Sequence, residues 1–142
     1  GRSVEYDIVS IDANNKEVLF GSNTITGSRE GKVTLSGGGI VIGIPRLRKG
    51  YKLEELLNLM DNHPKVTISN SSALTFSNNA VSAESLSGTA SASGGALYGG
   101  GYSIFDLSDN KAVAFSDNSV TAKAKGKATA AGGGSYPCGC LL

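Results

Sequence analysis

The 142-residue sequence has no tryptophan, one histidine, one methionine, two cysteines and three prolines, and aromatics make up only 6% of it. Large side chains fill compact cores. Their shortage favours a thin, elongated core. The cysteines, Cys138 and Cys140, flank a single glycine. A structural zinc needs four ligands and only His63 is left to help, so no metal is expected. A disulfide across one residue would be strained. Gly139 holds the position, fourth from the end, that a prenylated cysteine would need. No apolar run approaches the roughly 18 residues that span a bilayer, so this segment is not expected to insert in a membrane. There is no basic-apolar-small leader, so the signal of a secreted parent would lie outside these residues. Charge is nearly balanced, with 13 basic and 12 acidic residues and a net charge of +1. That is not the basic face of a nucleic-acid binder, and no nucleic-acid partner is expected. Lys123, Lys125 and Lys127 alternate with Ala and Gly and read as the solvent face of a strand.

What the chain does have is glycine, 20 of them, with abundant Ser, Ala, Asn and Thr. It also repeats itself. Ala73 to Ala83 falls on Ala112 to Ala122 when shifted by 39 residues, keeping Ala, Phe, Ser, Asn, Val and Ala. Without a gap, Gly94-Gly95 would fall on Gly133-Gly134. A weaker copy begins at Val18-Leu19-Phe20 and reaches Gly37-Gly38-Gly39-Ile40. Phe20 and Phe76 lie 56 apart, an excess of 17 over the repeat. The excess has a home at 45–62, where Leu53, Leu56, Leu57 and Met60 keep helical spacing. This reads as a one-helix insertion near 52–61, ending at Asn62-His63-Pro64, with its apolar stripe against the β body. Residues 1–136 otherwise read as a single domain of short strands broken by Asn, Asp, Gly and Ser turns, and 137–142 as an unstructured tail.

A 39-residue all-β repeat suggests an all-β, right-handed parallel β-helix with about two coils of roughly 20 residues per repeat. Phe76 and Phe115 should then stack in register in every second coil, with Asn79 and Asn118 at turns and the Gly pairs where backbones approach closely. A β-sandwich also has short strands and many turns, but it does not need a 39-residue self-similarity. Ser82–Ser93 and the chain beyond Ala131 have the composition of low-complexity segments.

The repeated Phe-x-x-Asn, at Phe76 to Asn79, Phe115 to Asn118 and more weakly Phe20 to Asn23, alternates with Gly94-Gly95-Ala96-Leu97. Degraded copies stand at Gly38-Gly39-Ile40-Val41 and Gly132-Gly133-Gly134-Ser135. This alternation resembles the polymorphic membrane protein repeats of chlamydial autotransporters, over roughly residues 17 to 136. The resemblance implies a passenger domain at the bacterial outer membrane or shed outside the cell. It implies a role in adhesion or surface display, with a host-cell surface protein or glycan as partner and neighbouring β-helix coils of a longer chain beside it. Carried over residue by residue, the adhesion-motif candidates are Phe76, Asn79, Gly94, Gly95, Ala96, Leu97, Phe115 and Asn118, with Phe20 and Asn23 as the weaker copy.

No catalytic residue and no cofactor is expected. His63 has no cysteine partner and no Ser-His-Asp spacing. Parallel β-helices also include polysaccharide lyases and hydrolases, which need clustered carboxylates or a bound cation. Asp12, Asp106, Asp109 and Asp117 are the carboxylates available for that alternative, but Asp and Asn are expected at such turns anyway. Gly99-Gly100-Gly101 lacks the Lys-Ser/Thr and helix of a phosphate loop. A purely structural stalk is the remaining alternative.

Overall fold

The computed structural model describes residues 4–42, 49–55, 57, 62–100, 103–135 and 139–141. They form a parallel β-helix. The first coil holds β1 (Val4–Asp12), β2 (Glu17–Gly21), β3 (Thr24–Arg29), β4 (Val33–Ser36) and β5 (Ile40–Ile42). The second holds β6 (Asn62–Ser69), β7 (Ala73–Ser77), β8 (Ala80–Ser85), β9 (Ala90–Ser93) and β10 (Leu97–Gly99). The third holds β11 (Ile104–Asp106), β12 (Val113–Ser116), β13 (Ser119–Ala124) and β14 (Ala128–Ala131), and β15 (Gly139–Leu141) follows. Every pairing is parallel, and the sheets run β1-β6-β11-β15, β2-β7-β12, β3-β8-β13, β4-β9-β14 and β5-β10.

Each repeat is therefore one coil, not two. Phe20, Phe76 and Phe115 lie directly opposite one another in successive coils. The coil is twice the expected length because it carries five strands. The alternation along β7, β8 and β9 sends every second residue inward. Two lobes of core result. One contains Val66, Ile68, Leu74, Phe76, Leu97, Phe105 and Leu107. The second is lined by Val33, Val81, Ala83, Ala90 and Ala92. The second lobe is built without an aromatic side chain, so few aromatics suffice for the whole.

In the first coil, Val9 and Ile11 stand in register with the buried Val66 and Ile68, and they are 45% and 36% exposed, with no described residue on their far side. Along β1 the register shifts between Asp7 and Val9, so Ile8 sits at a bulge.

Three further expectations need correction. The tail is not wholly unstructured, because Gly139–Leu141 pairs with Ile104–Asp106 as β15. His63-Pro64 is not a helix-ending turn but lies inside β6. Pro64 pairs with Tyr6, and β11 joins β6 only from Lys65 onward, so the missing N–H of proline falls where one side of the strand is open. The insertion does contain helix, at 53–55 and 57, but of its apolar stripe Leu53 and Leu57 are 68% and 49% exposed. Leu56 and Met60, like most of 45–61, lie outside the described residues. Ser82–Ser93, low in complexity, is ordered into the end of β8 and all of β9.

Candidate functional site

The Phe-x-x-Asn and Gly-Gly motifs make three columns that run along the solenoid axis. In the first, the Phe20 and Phe76 rings are 5.0 Å apart and 8° from parallel. Phe76 and Phe115 are 4.9 Å apart and 7° from parallel. The ring spacing follows the coil spacing of about 4.8 Å, so identical residues at one inward position stack face to face.

Two residues after each Phe, the chain turns out of β2, β7 or β12 in the left-handed region, at Ser22, Asn78 and Asp117. Ser, Asn and Asp tolerate that backbone better than branched residues do. The next residue is the asparagine of the second column. Asn23 donates to the Asn79 Oδ1 through its backbone N (3.3 Å) and its Nδ2 (2.9 Å). Asn79 repeats the pattern on the Asn118 Oδ1, at 3.1 Å and 2.9 Å. The second Nδ2 hydrogen reaches back a coil: Asn79 donates to the Phe20 carbonyl (3.0 Å) and Asn118 to the Phe76 carbonyl (2.9 Å). Asn79 is fully buried, and this ladder satisfies its amide and the carbonyls that the turn frees from strand pairing.

The third column is glycine. Gly37, Gly94 and Gly132 all have positive φ, between 66° and 74°. The Gly94 N–H donates to the Ala131 carbonyl and the Gly95 N–H to the Gly132 carbonyl. The aligned copies are thus Gly37-Gly38-Gly39-Ile40, Gly94-Gly95-Ala96-Leu97 and Gly132-Gly133-Gly134-Ser135, with Leu97 opposite Ile40 and Ser135. Gly94 does not fall on Gly133 as an ungapped 39-residue shift requires. The spacing drops to 38 between β9 and β14 because the turn at 86–89 holds one residue more than the turn at 125–127.

These columns place the adhesion-motif candidates inside the coil. Phe76, Asn79, Gly94, Gly95, Ala96 and Leu97 are buried. Phe115, Asn118 and Phe20 are half-buried, each with a described coil on one side, and Asn23, in the first coil, is exposed. A second polar column went unread in the sequence. Asn110 Nδ2 donates to the carbonyls of Ile68 and Leu107 (both 2.8 Å), and its Oδ1 accepts from the N and Oγ of Ser71 (3.1 and 2.6 Å). The signal was Leu107-x-x-Asn110, the same apolar-x-x-Asn spacing as Phe115 to Asn118 and only eight residues before it.

The outward face is polar and repetitive. Thr26, Ser82 and Thr121 form one row and Thr34, Ser91 and Thr129 another. Of the four carboxylates weighed for carbohydrate chemistry, Asp12 and Asp106 accept hydrogen bonds within turns. Asp12 accepts from the Asn14 N–H and the Asn70 Nδ2, which lowers its pKa, and Asp117 is a left-handed turn residue. The Asp106 carboxylate accepts from the Ser108 Oγ (2.6 Å) and N–H (3.1 Å). These bonds hold its pKa below the ordinary 3.8, with a smaller contribution from Lys65.

A carboxyl whose folded pKa is depressed stabilises the fold above its unfolded pKa, and the contribution is lost as pH falls through the folded value. Unfolding by urea at a series of pH values from about 5 down to about 3 should therefore show a falling midpoint. Ser108→Ala should make that fall shallower. An unchanged pH dependence in the variant would show that the Ser108 bonds carry none of it.

Among the described residues no group of three or more His, Cys, Asp or Glu side chains is placed to hold a metal ion. No described helix is long and apolar enough to cross a membrane. No family model, curated protein or solved structure matches this chain.

Proposed function

We propose that this chain is a coil segment of a bacterial surface protein of the autotransporter-passenger kind, acting in adhesion or surface display through its outward rows. The observation that carries this reading is the division of labour within each repeat. The residues that repeat are inside and hold the coils in register. The alternate positions point outward and are mostly Ser, Thr and charged residues with no part in the core. A backbone built in this way presents long, rigid, polar faces whose side chains can change without loss of fold. The resemblance of the motifs to chlamydial surface repeats supplies the setting. The motifs act as scaffold, and contact with a partner belongs to the rows beside them.

The test is binding of the purified chain to cultured epithelial cells. A second protein carries glutamate at Thr75, Ser82 and Ser91, which lie on three outward faces of the middle coil. Both should show the same circular dichroism spectrum and melting temperature. The expected result is saturable binding by the wild type, reduced at least about tenfold in the variant, since charge placed across a contact typically costs more than 1.4 kcal/mol. Absence of wild-type binding would reject adhesion by this segment and leave a stalk that spaces other domains.

A further inference from the structure

The charges of this nearly neutral chain are unevenly placed. The corner between the third and fourth strand of each coil is formed by residues 30–32, 86–89 and 125–127. Its glycines hold successive turns close together: a Cβ on Gly88 would meet the Gly31 carbonyl oxygen at 2.9 Å, and one on Gly126 would meet that of Gly88 at 2.8 Å. Around these glycines stand Arg29, Lys32, Lys123, Lys125 and Lys127, all exposed. Register places Lys123 beside Glu84, and the backbone bonds of β4, β9 and β14 place Lys32, Thr89 and Lys127 in one column. The corner thus carries five of the 13 cationic residues against two anions, Glu30 and Glu84, while the remainder of the chain has an excess of acid. Arg29 is engaged by the carbonyl of Glu30, and none of the four lysines makes an ion pair among the described residues.

We propose that this corner is a binding surface for an acidic polysaccharide bearing sulfate or carboxylate groups. The inference rests on the adhesive reading above and names the chemistry of its partner. Lys32 and Lys127 are two coils apart, about 10 Å along the axis. Ser87 and Thr89 stand on the coil between the two cationic levels, and the Ser87 Oγ accepts from the Gly31 N–H (3.1 Å). A linear polyanion laid along the axis meets cation, hydroxyl and cation in turn. Lysine suits this role, being a mobile point charge that does not demand one anion geometry. The corner strands and turns (residues 24–36, 80–93 and 119–131) contain no aromatic side chain, so the stacking platforms that single-stranded nucleic acid uses are missing.

Titration calorimetry with a sulfated uronic-acid octasaccharide, its desulfated counterpart and a single-stranded oligonucleotide tests the surface. The wild type should bind the sulfated probe, with affinity falling as salt rises. Changing Lys123, Lys125 and Lys127 together to Ala should weaken binding about tenfold and flatten the salt dependence, because three of the five cationic charges are removed and each exposed charge contributes modestly. The equally exposed control Lys16→Ala/Lys49→Ala/Lys111→Ala should leave affinity unchanged. Absence of binding, equal loss in both triple variants, or tighter binding of the oligonucleotide would overturn the proposal. Cell binding that survives the corner substitutions would sink this inference while leaving the adhesive reading intact.

Discussion

Replacing Phe76 by Ala should cost the chain about 3–5 kcal/mol, the usual range for a fully buried ring. The reason is its place in the column. Phe76 has a ring on each side, at 5.0 Å and 4.9 Å, and is completely buried. Its removal deletes two stacked contacts at once and opens a cavity between three coils that cannot collapse, because the Asn79 ladder and the glycine column fix the coil spacing on either side. Phe115→Ala removes the same side chain from an end coil, where it has one described ring neighbour and is half-buried. That substitution should cost about half as much, since area already exposed to water contributes nothing to burial. Urea denaturation of the two variants beside the wild type measures both. Equal losses would mean that Phe115 is as tightly packed as Phe76, contrary to the difference in their burial.

How much of this was legible follows from what each residue type signals. The 39-residue period and the stacking of Phe on Phe could be read directly, because an inward position with neighbours of its own kind tends to keep its size. The number of coils per repeat could not. A period states where the pattern returns, not how many turns the chain makes meanwhile. β9 reads Ala-Ser-Ala-Ser and β14 Ala-Thr-Ala-Ala. Thr129 is the one β-branched residue among the eight, and neither strand has an aromatic. β9 is a strand because Ala90 and Ala92 face the second lobe and pair with Val33 and Leu35 of β4 on one side and with Ala128 and Ala130 of β14 on the other. With these strands unread, a coil of about 20 residues looked sufficient. The exposed Leu53 and Leu57 show the opposite limit. Helical spacing revealed the helix, but a stripe of leucines does not say what covers it.

The motif residues misled in a different way. Phe-x-x-Asn and Gly-Gly-Ala-Leu suggest recognition because they recur, yet recurrence in a solenoid is the mark of residues that contact their own copies. Asn79 is the plainest instance. Each of its amide groups is bonded to an adjacent coil, leaving nothing to offer a partner. Sequence variation between coils, as at Glu30, Leu86 and Lys125, is where specificity has room to reside.

Gly95→Ala should be nearly as disruptive as Phe76→Ala, although it adds one methyl group. The new Cβ would lie closer than 3.0 Å to the Gly133 carbonyl oxygen and 3.1 Å from the Ser119 backbone N. Both obstacles are backbone, so no rotamer change relieves them. Coils 2 and 3 must separate locally, which breaks the bonds from the N–H groups of Gly95, Ala96 and Leu97 to the carbonyls of Gly132 and Gly134. A cost of about 3 kcal/mol or more is expected, at the upper end for overpacking. Gly133→Ala is the matching control. It lies opposite Gly95 in the next coil, and a Cβ there meets only the Asn118 carbonyl oxygen, at an ordinary contact distance of 3.5 Å. Its effect should stay within about 0.5 kcal/mol. The pair separates two explanations of a glycine-rich motif that look identical in sequence. If both substitutions are tolerated, the glycines are there for flexibility and the close approach of the coils is not a constraint. If only Gly95 resists, the second glycine of the motif is the point at which one coil is fitted to the next.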